Sequence, residues 1–477
     1  MRERPNEGLS SWQLTMIALG TVIGGSFFLG SAVAVRAAGP GIILSYLAGG
    51  VLVYLILYAL SEMTVADAAP GSFRTYAHRA FGPGIGFVVG WVYWTGLILA
   101  MSSEAAAASI LIKAWFPNIS ILLTGSIIIV GVTLLNLLGA TRLSQLESGL
   151  AMIKLFAIVG FIVLGVILIF GLHPAIQRVG IGELAREPWL PGGLSGILGG
   201  MLLVMLAYAG FEVIGLASSE ARNPQETVPR AIRNTVLWLV GLYVAAIIVL
   251  IPLVPTRMLS TGQSPLVMAL SRWGLTWAGT AMNIVLLSAI LSTMLAAMFG
   301  LARMIRSLSD EGHAPVWIQD KGDIPYRGIM FSGLGMLAGL FLGSLLPRGV
   351  YLFLVSSSGF ALLFSYLVIM ATHYRFRKAR GCPPHDKCQL PGYPYTSWFA
   401  MISLAAIIAS MPLIPGQRNG LLAGLSLLAF FALLYLFIRE REPVRNRLVI
   451  PRGFRPRTSM EYIDESQIVP ERDSKDE

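Results

Sequence analysis

Charged side chains are scarce in this sequence. Of its 477 residues only 13% are Asp, Glu, Lys or Arg, against roughly 25% in a soluble domain, while 55% are hydrophobic. A soluble chain of this length has too little polar surface to shield so much apolar area from water, so a water-soluble architecture is excluded. Period-two alternation is also missing, and the apolar runs far exceed the length of barrel strands, which removes a membrane β-barrel. Cysteine is nearly absent. The two that occur, Cys382 and Cys388, fall in one polar loop predicted to face the cytoplasm, where reducing conditions disfavour a disulfide. His385 lies between them, but three ligands at irregular spacing make a weak zinc set, and a solvated loop is the better reading. The apolar runs carry no metal cluster, no nucleophile–base arrangement and no phosphate loop. Neither an enzyme nor a resident cofactor is therefore expected.

What the chain does have is apolar stretches of bilayer length, and there are about twelve of them. They fall near 12–36, 41–66, 83–112, 119–139, 147–171, 194–219, 232–254, 277–306, 329–346, 350–373, 397–415 and 419–439. Within hydrocarbon a helix satisfies its own backbone, so an all-α integral membrane protein is expected. The net charge of +10 does not mark a nucleic-acid partner, because its distribution follows topology. With the amino terminus placed inside, the inner segments hold 26 Lys and Arg and the outer segments 8, and Lys154 lies within a span. Discounting the nine in the long tail that starts at Arg439 leaves 17 against 8, still the positive-inside bias. A multi-pass protein of the cell membrane with both termini cytoplasmic is expected. Ala32-Val33-Ala34 looks like a signal-peptidase site, but its apolar run is too long for a signal segment, so that helix is read as retained. The mobile-looking tail, 440–477, is charged and punctuated by proline.

The informative irregularities are breaks inside spans. Span one reads Leu19-Gly20-Thr21-Val22-Ile23-Gly24-Gly25-Ser26-Phe27-Phe28-Leu29-Gly30, and each central glycine costs about 1 kcal/mol of helix stability. Span six reads Leu206-Ala207-Tyr208-Ala209-Gly210-Phe211-Glu212, with a glycine and a carboxylate at similar depth. Glycine in a membrane helix often serves close helix packing. Two breaks five spans apart, in helices running in opposite directions, instead predict an inverted repeat with its binding site at the breaks.

At these residues the sequence resembles the amino acid–polyamine–organocation superfamily, and most of all its bacterial amino acid permeases. The similarity covers roughly residues 8–440. It is carried by Met16 to Gly20 and Ile23 to Gly30, then Ala38-Gly39-Pro40, Ala59 to Met63 and Pro70 to Tyr76. Glu220 to Pro224, Thr227 to Ile232, Ala302-Arg303-Met304 and Asp310 to Pro315 follow in order. The resemblance implies a five-plus-five inverted repeat with two extra helices, working by alternating access as a secondary transporter. The division expected is an amino terminus 1–11, repeats 12–173 and 174–373, helices eleven and twelve with their loop in 374–439, and the tail. The half-helix beginning near Phe27 points its amino end at the midplane, so free amides of Gly25, Ser26 and Phe27 suit a substrate carboxylate. Carbonyls around Ile23 and Gly24, and those from Ala207 through Tyr208 and Ala209 to Gly210, suit its ammonium.

A charge at mid-bilayer costs about 2.5–3.5 kcal/mol on insertion scales, so each one needs a reason. Lys154 lies about 10 Å deeper than Glu147 along span five. By resemblance it stands where sodium-coupled relatives hold a cation, which makes it the candidate for proton coupling; the alternative is a permanently charged tether between helices. Glu104 in span three matches a carboxylate near the family's substrate pocket, or else is a buried acid bonded to Ser102 or Ser103. Glu212 matches a glutamate implicated in gating, or else caps the half-helix it opens. Glu62 is read as structural. Where related permeases carry an asparagine and a serine in span eight, this chain has Leu295 and Ala296, leaving Ser292 and Thr293 as the polar residues there. A less polar pocket points to a neutral amino acid and away from sodium. Proton-coupled import of a neutral amino acid is thus expected, ahead of a cationic permease or an exchanger in which Glu104 pairs with a substrate ammonium, and ahead of a membrane sensor on the same fold.

Overall fold

The computed structural model describes residues 8–441 except 67–71, 114, 139, 173, 175, 218–220, 261, 321, 323, 346–349, 383–388, 414 and 415. Among the described residues the regular structure is helical, and Leu9 and Ala221 form an isolated bridge. The first apolar segment is divided into α1 (Ser11–Val22), α2 (Gly25–Phe28) and α3 (Gly30–Ala38). Then follow α4 (Ile42–Ala66), a short amphipathic α5 (Phe73–Phe81), α6 (Pro83–Lys113), α7 (Ile121–Asn136) and α8 (Ala140–Phe170). The second divided segment is α9 (Gly193–Tyr208) and α10 (Val213–Ala217). After it come α11 (Pro224–Leu253), α12 (Pro265–Arg272), α13 (Thr276–Asp310), α14 (Tyr326–Ser344), α15 (Val350–Arg380), α16 (Tyr395–Ser410) and α17 (Gln417–Arg441). Among the described residues, ten helical segments are long and apolar enough to cross a membrane. The ten count Gly25–Ala66 as one, and α7 is a shorter apolar helix besides.

Local chemistry sets several of these ends. Ser10 caps α1: its hydroxyl accepts from the Gln13 amide at 3.3 Å while the Gln13 side chain accepts from the Ser10 amide at 2.8 Å. This reciprocal pair satisfies two otherwise orphaned donors. The exposed face of α7 carries Leu123, Ile127, Val130 and Leu134, spaced to make one stripe, and α17 exposes Leu422, Leu425, Leu433 and Leu436. Such stripes suit lipid rather than water. The two divided segments lie against each other at the centre, α3 on α9 and α1 on α10. The half before one break thus meets the half after the other, as antiparallel broken helices must.

Away from that centre, two ion clusters bind loops to helix ends. Arg74 on α5 is fully buried, and its guanidinium donates to Glu311 just beyond α13 and to Ser307 Oγ at 2.9 Å. His78 Nδ1 lies 2.8 Å from the same carboxylate. Burial pushes the Glu311 carboxyl up, but the hydrogen bonds from His78 and Arg74 and their charges outweigh it and hold it at about 2. Burial, with the Arg74 charge, lowers His313 beside them to about 4. A depressed carboxyl contributes stability above its unfolded value, near 4.5 here, and loses it as pH falls towards 2. Glu311→Gln is therefore expected to lower the melting temperature by several degrees at pH 7, because it strands the buried Arg74. The gap to the unaltered protein should narrow below about pH 4.5 in a thermal-shift series; a gap independent of pH would show that the loss is not electrostatic.

Glu62 on α4 is also fully buried. It accepts from the amides of Gln389 and Leu390 at 2.6 and 2.7 Å and from Arg377 at 3.2 Å, and lies 2.7 Å from His373 Nε2. These bonds fasten the segment after α15 to α4. In that segment Cys382 is disulfide-bonded, which corrects the expectation of a reduced thiol and removes its thiolate from any zinc set. His385 and Cys388 lie outside the described residues.

Candidate functional site at the two helix breaks

The first break begins where Ile23 and Gly24 leave helical geometry, with Ile23 at φ −77°, ψ 96° and Gly24 at φ −142°, ψ −165°. The amides that follow have no preceding turn to bond to. They receive a carboxylate, and it is the protein's own. Glu104 on α6 accepts from Gly25 N at 2.7 Å with one oxygen, and from Ser26 N at 3.0 Å and Ser26 Oγ at 2.8 Å with the other. The place assigned to a substrate carboxylate is thus occupied by Glu104. The reading of Glu104 as a buried acid bonded to a serine holds for Ser26 but not for Ser102 or Ser103, which donate to backbone carbonyls of Ile98, Met336 and Ala100 instead. The third expected amide also departs from expectation, since Phe27 N closes a turn onto Gly24 O at 3.2 Å.

The carbonyl side of the break is engaged as well. Ile23 O accepts from Thr293 Oγ1 at 2.9 Å, and Thr293 Oγ1 in turn accepts from Lys154 Nζ at 3.0 Å. Lys154 also donates to Gly20 O at 2.5 Å, and its side chain is fully buried. Lysine, threonine and a break carbonyl therefore form one chain of hydrogen bonds joining α8, α13 and α1. This relay was not read from the sequence. Its signal is that Thr293 is a polar residue inside a span whose i−4 and i+4 neighbours, Ala289 and Ala297, are small.

The second break runs from Ala209, at φ −62° and ψ 151°, through Gly210 at φ +107°. That positive φ is left-handed backbone that glycine adopts without strain. The Glu212 carboxylate accepts from Gly210 N, from Tyr93 OH on α6 and from Tyr366 OH on α15, each at 3.0 Å. It therefore ties three elements together on the α10 side of the break. Tyr93 and Tyr366 were missed. A tyrosine well inside a span, away from the interfacial belts where the residue is normally enriched, is the signal that finds them. On the opposite side lies an aromatic layer. Phe27 stacks on Tyr243 with centroids 3.8 Å apart, Tyr243 on Tyr208 at 5.3 Å, and Tyr46 meets Phe27 edge-on.

Between the two sides is a cavity of about 20 Å³, room for about one water. Ser26, Glu104, Ala209 and Gly210 line it, with Thr21 and Thr293, and apolar side chains including Leu97, Met101 and Ala297. Ala207 and Tyr208 are buried in the last turn of α9 instead. Leu295 and Ala296, expected to face the site, do not line it; Thr293 and Ala297 do. The helix period explains this correction: Thr293 and Ala297, four apart, share a face, Leu295 points across the helix, and Ala296 is turned about 100° from Ala297.

The family described as amino acid permease matches residues 13–440. The γ-aminobutyric acid permease of Bacillus subtilis (strain 168) is 31% identical over 440 residues, 91% of this chain and 94% of the relative. The γ-aminobutyric acid permease of Escherichia coli (strain K12) is 33% identical over 429 residues, covering 87% and 91%. The aromatic amino acid transport protein of the same strain is 30% identical over 420 residues, covering 87% and 92%. With a family match across nearly its whole length, this chain belongs to the amino acid permease family, within the amino acid–polyamine–organocation superfamily.

Proposed function

We propose that the protein imports a neutral amino acid together with a proton, by alternating access in the cell membrane. The observation that carries this reading is Glu104 seated on the Gly25 and Ser26 amides, because it marks the first break as a carboxylate receptor. A substrate carboxylate of the same chemistry takes those donors when Glu104 swings away, and its ammonium turns to the carbonyls of Ile23 and Ala209. Antiparallel packing of the broken helices supports a five-plus-five repeat followed by two further helices, twelve spans in all. The charge bias supports cytoplasmic termini. On this orientation the Phe27, Tyr46, Tyr208 and Tyr243 layer closes the outer path, and Glu212 with Tyr93 and Tyr366 closes the inner one. Lys154 is the proton-coupling residue in this scheme.

A cationic substrate is disfavoured, since the walls of the cavity other than Glu104 are mostly apolar. The relatives named for γ-aminobutyric acid and for aromatic amino acids support a neutral zwitterion too. In proteoliposome competition, neutral amino acids are expected to outcompete lysine and arginine by about tenfold. Amino acid amides and decarboxylated amines should compete poorly, since each forfeits charge-assisted bonds of roughly 1.5–3 kcal/mol. A panel in which lysine or arginine binds most tightly would overturn the neutral assignment.

A further inference from the structure

Outside the central site, a cluster of six charged residues surrounds a cavity of about 520 Å³ beyond the α3 end of span one. Arg36, Arg186, Arg257 and Arg272 line it, with Glu183 and Glu187. Four of the eight basic residues assigned to outer segments thus converge on one hollow. The positive-inside bias keeps such residues few on that side, so their concentration here calls for a use. The two acids are committed. Glu187 accepts from Thr256 N at 2.9 Å and Thr256 Oγ1 at 2.6 Å, and Glu183 pairs with Arg272 at 2.9 Å and Arg186 at 3.6 Å. Among the described residues, Arg36 and Arg257 make no ion pair.

The walls are fixed rather than loose. Besides the Glu187 anchor, Gly41 N donates to Trp189 O at 2.8 Å, and three prolines stand in the lining. Arg36 follows Gly25 by eleven residues along the broken span, about 16 Å of helix rise from the carboxylate-binding amides.

We infer that this vestibule is an external loading site that holds the carboxylate of a small zwitterionic solute between Arg36 and Arg257. The inference rests on the orientation and the substrate class proposed above. With Arg186 and Arg272 paired to Glu183, Arg36 and Arg257 are left as two guanidiniums for the two oxygens of one incoming carboxylate. Glu183 takes both of its arginines on one oxygen, Oε1, which leaves Oε2 to accept from an ammonium, and the two acids repel a dianion such as phosphate. Such a site raises the local substrate concentration at the mouth of the path, an effect that added salt screens.

The test uses the full protein in nanodiscs, with propionate and inorganic phosphate as probes in saturation-transfer NMR. Propionate is expected to bind, more strongly than phosphate, and to lose about fivefold of its signal in Arg36→Gln/Arg257→Gln, as steering sites of this kind respond. Unchanged propionate binding in that variant, or phosphate binding above propionate, would overturn the inference. In proteoliposomes the same variant should show about fivefold slower uptake at low substrate and low salt, with the maximal rate kept and the deficit gone near roughly 0.5 M salt. A deficit that ignores salt, or one in maximal rate alone, counts against it. If no amino acid is taken up by the unaltered protein while propionate binding still depends on the two arginines, the transport reading fails and the vestibule stands.

Discussion

Gly25→Val is expected to reduce substrate binding by about a thousandfold while the protein still inserts and folds. A Cβ at residue 25 would stand 2.6 Å from Glu104 Oε2 and 3.2 Å from Ile290 Cδ1. The nearer obstacle is the far end of a flexible side chain, so Glu104 can retreat and the helices need not part. What cannot be recovered is the space over the amides. A carboxylate approaching Gly25 N and Ser26 N within 3 Å must share that space with the new methyl groups, and the donors are then left without an acceptor. Two charge-assisted bonds at roughly 1.5–3 kcal/mol each account for the magnitude. Binding would be measured by calorimetry or scintillation proximity, with melting temperature as the control for folding. Full affinity at normal stability would remove the first break from the site. It would also leave the Glu104 contact as a structural bond with no bearing on substrate.

The broken helices were legible in the sequence because their cause is local. Gly24-Gly25-Ser26 and Ala209-Gly210 are poor helix formers inside apolar runs, and the structure interrupts the helices at those places, between Val22 and Gly25 and between Tyr208 and Val213. Helix identity was equally local, and the predicted segment ends mostly fall within a few residues of the observed ones. Longer departures occur where polar residues extend a helix beyond its apolar run. For example, α11 begins at Pro224 and α15 continues to Arg380, because a helix projecting from the bilayer keeps its backbone bonds without needing apolar side chains.

The partners of the charged groups were not legible, because they depend on which spans touch. The sequence puts Glu104 at the depth of the break, but not on the very amides expected to hold a substrate carboxylate. It places Lys154 deep in span five, but not the Thr293 hydroxyl that connects it to Ile23 O. The placing of Leu295 and Ala296 at the site, where Thr293 and Ala297 lie instead, failed for a related reason. Which face of a long, evenly apolar helix looks inward is fixed by its neighbours, and α13 is apolar over most of its circumference.

Lys154→Ala is expected to lose acceleration by an inward proton gradient, by about tenfold or more, while substrate binding stays within about threefold. The reasoning begins from cost. A buried ammonium needs strong acceptors, and Lys154 has Gly20 O at 2.5 Å and Thr293 Oγ1 at 3.0 Å. While it is charged, both bonds are charge-assisted and hold α8 against α1 and α13 beside the break. A neutral amine keeps N–H donors but loses that added strength, so the contact loosens when the proton leaves. Through Thr293 the change reaches Ile23 O, the carbonyl proposed to receive the substrate ammonium. Proton occupancy and substrate occupancy then bias the same short stretch of backbone, which is what coupling requires. A lysine that serves only as a tether leads elsewhere: the Ala variant would melt at lower temperature, because two buried acceptors lose a donor at roughly 1–3 kcal/mol each, yet its remaining transport would still follow the proton gradient. Lys154→Met separates packing from charge, since it fills similar volume without an ammonium. Under coupling it should behave like the Ala variant in uptake driven by a pH step while recovering part of the stability. If either variant keeps full pH-driven accumulation, the coupling proton resides elsewhere, and Glu104 and Glu212 are the buried acids at the two breaks that remain to carry it.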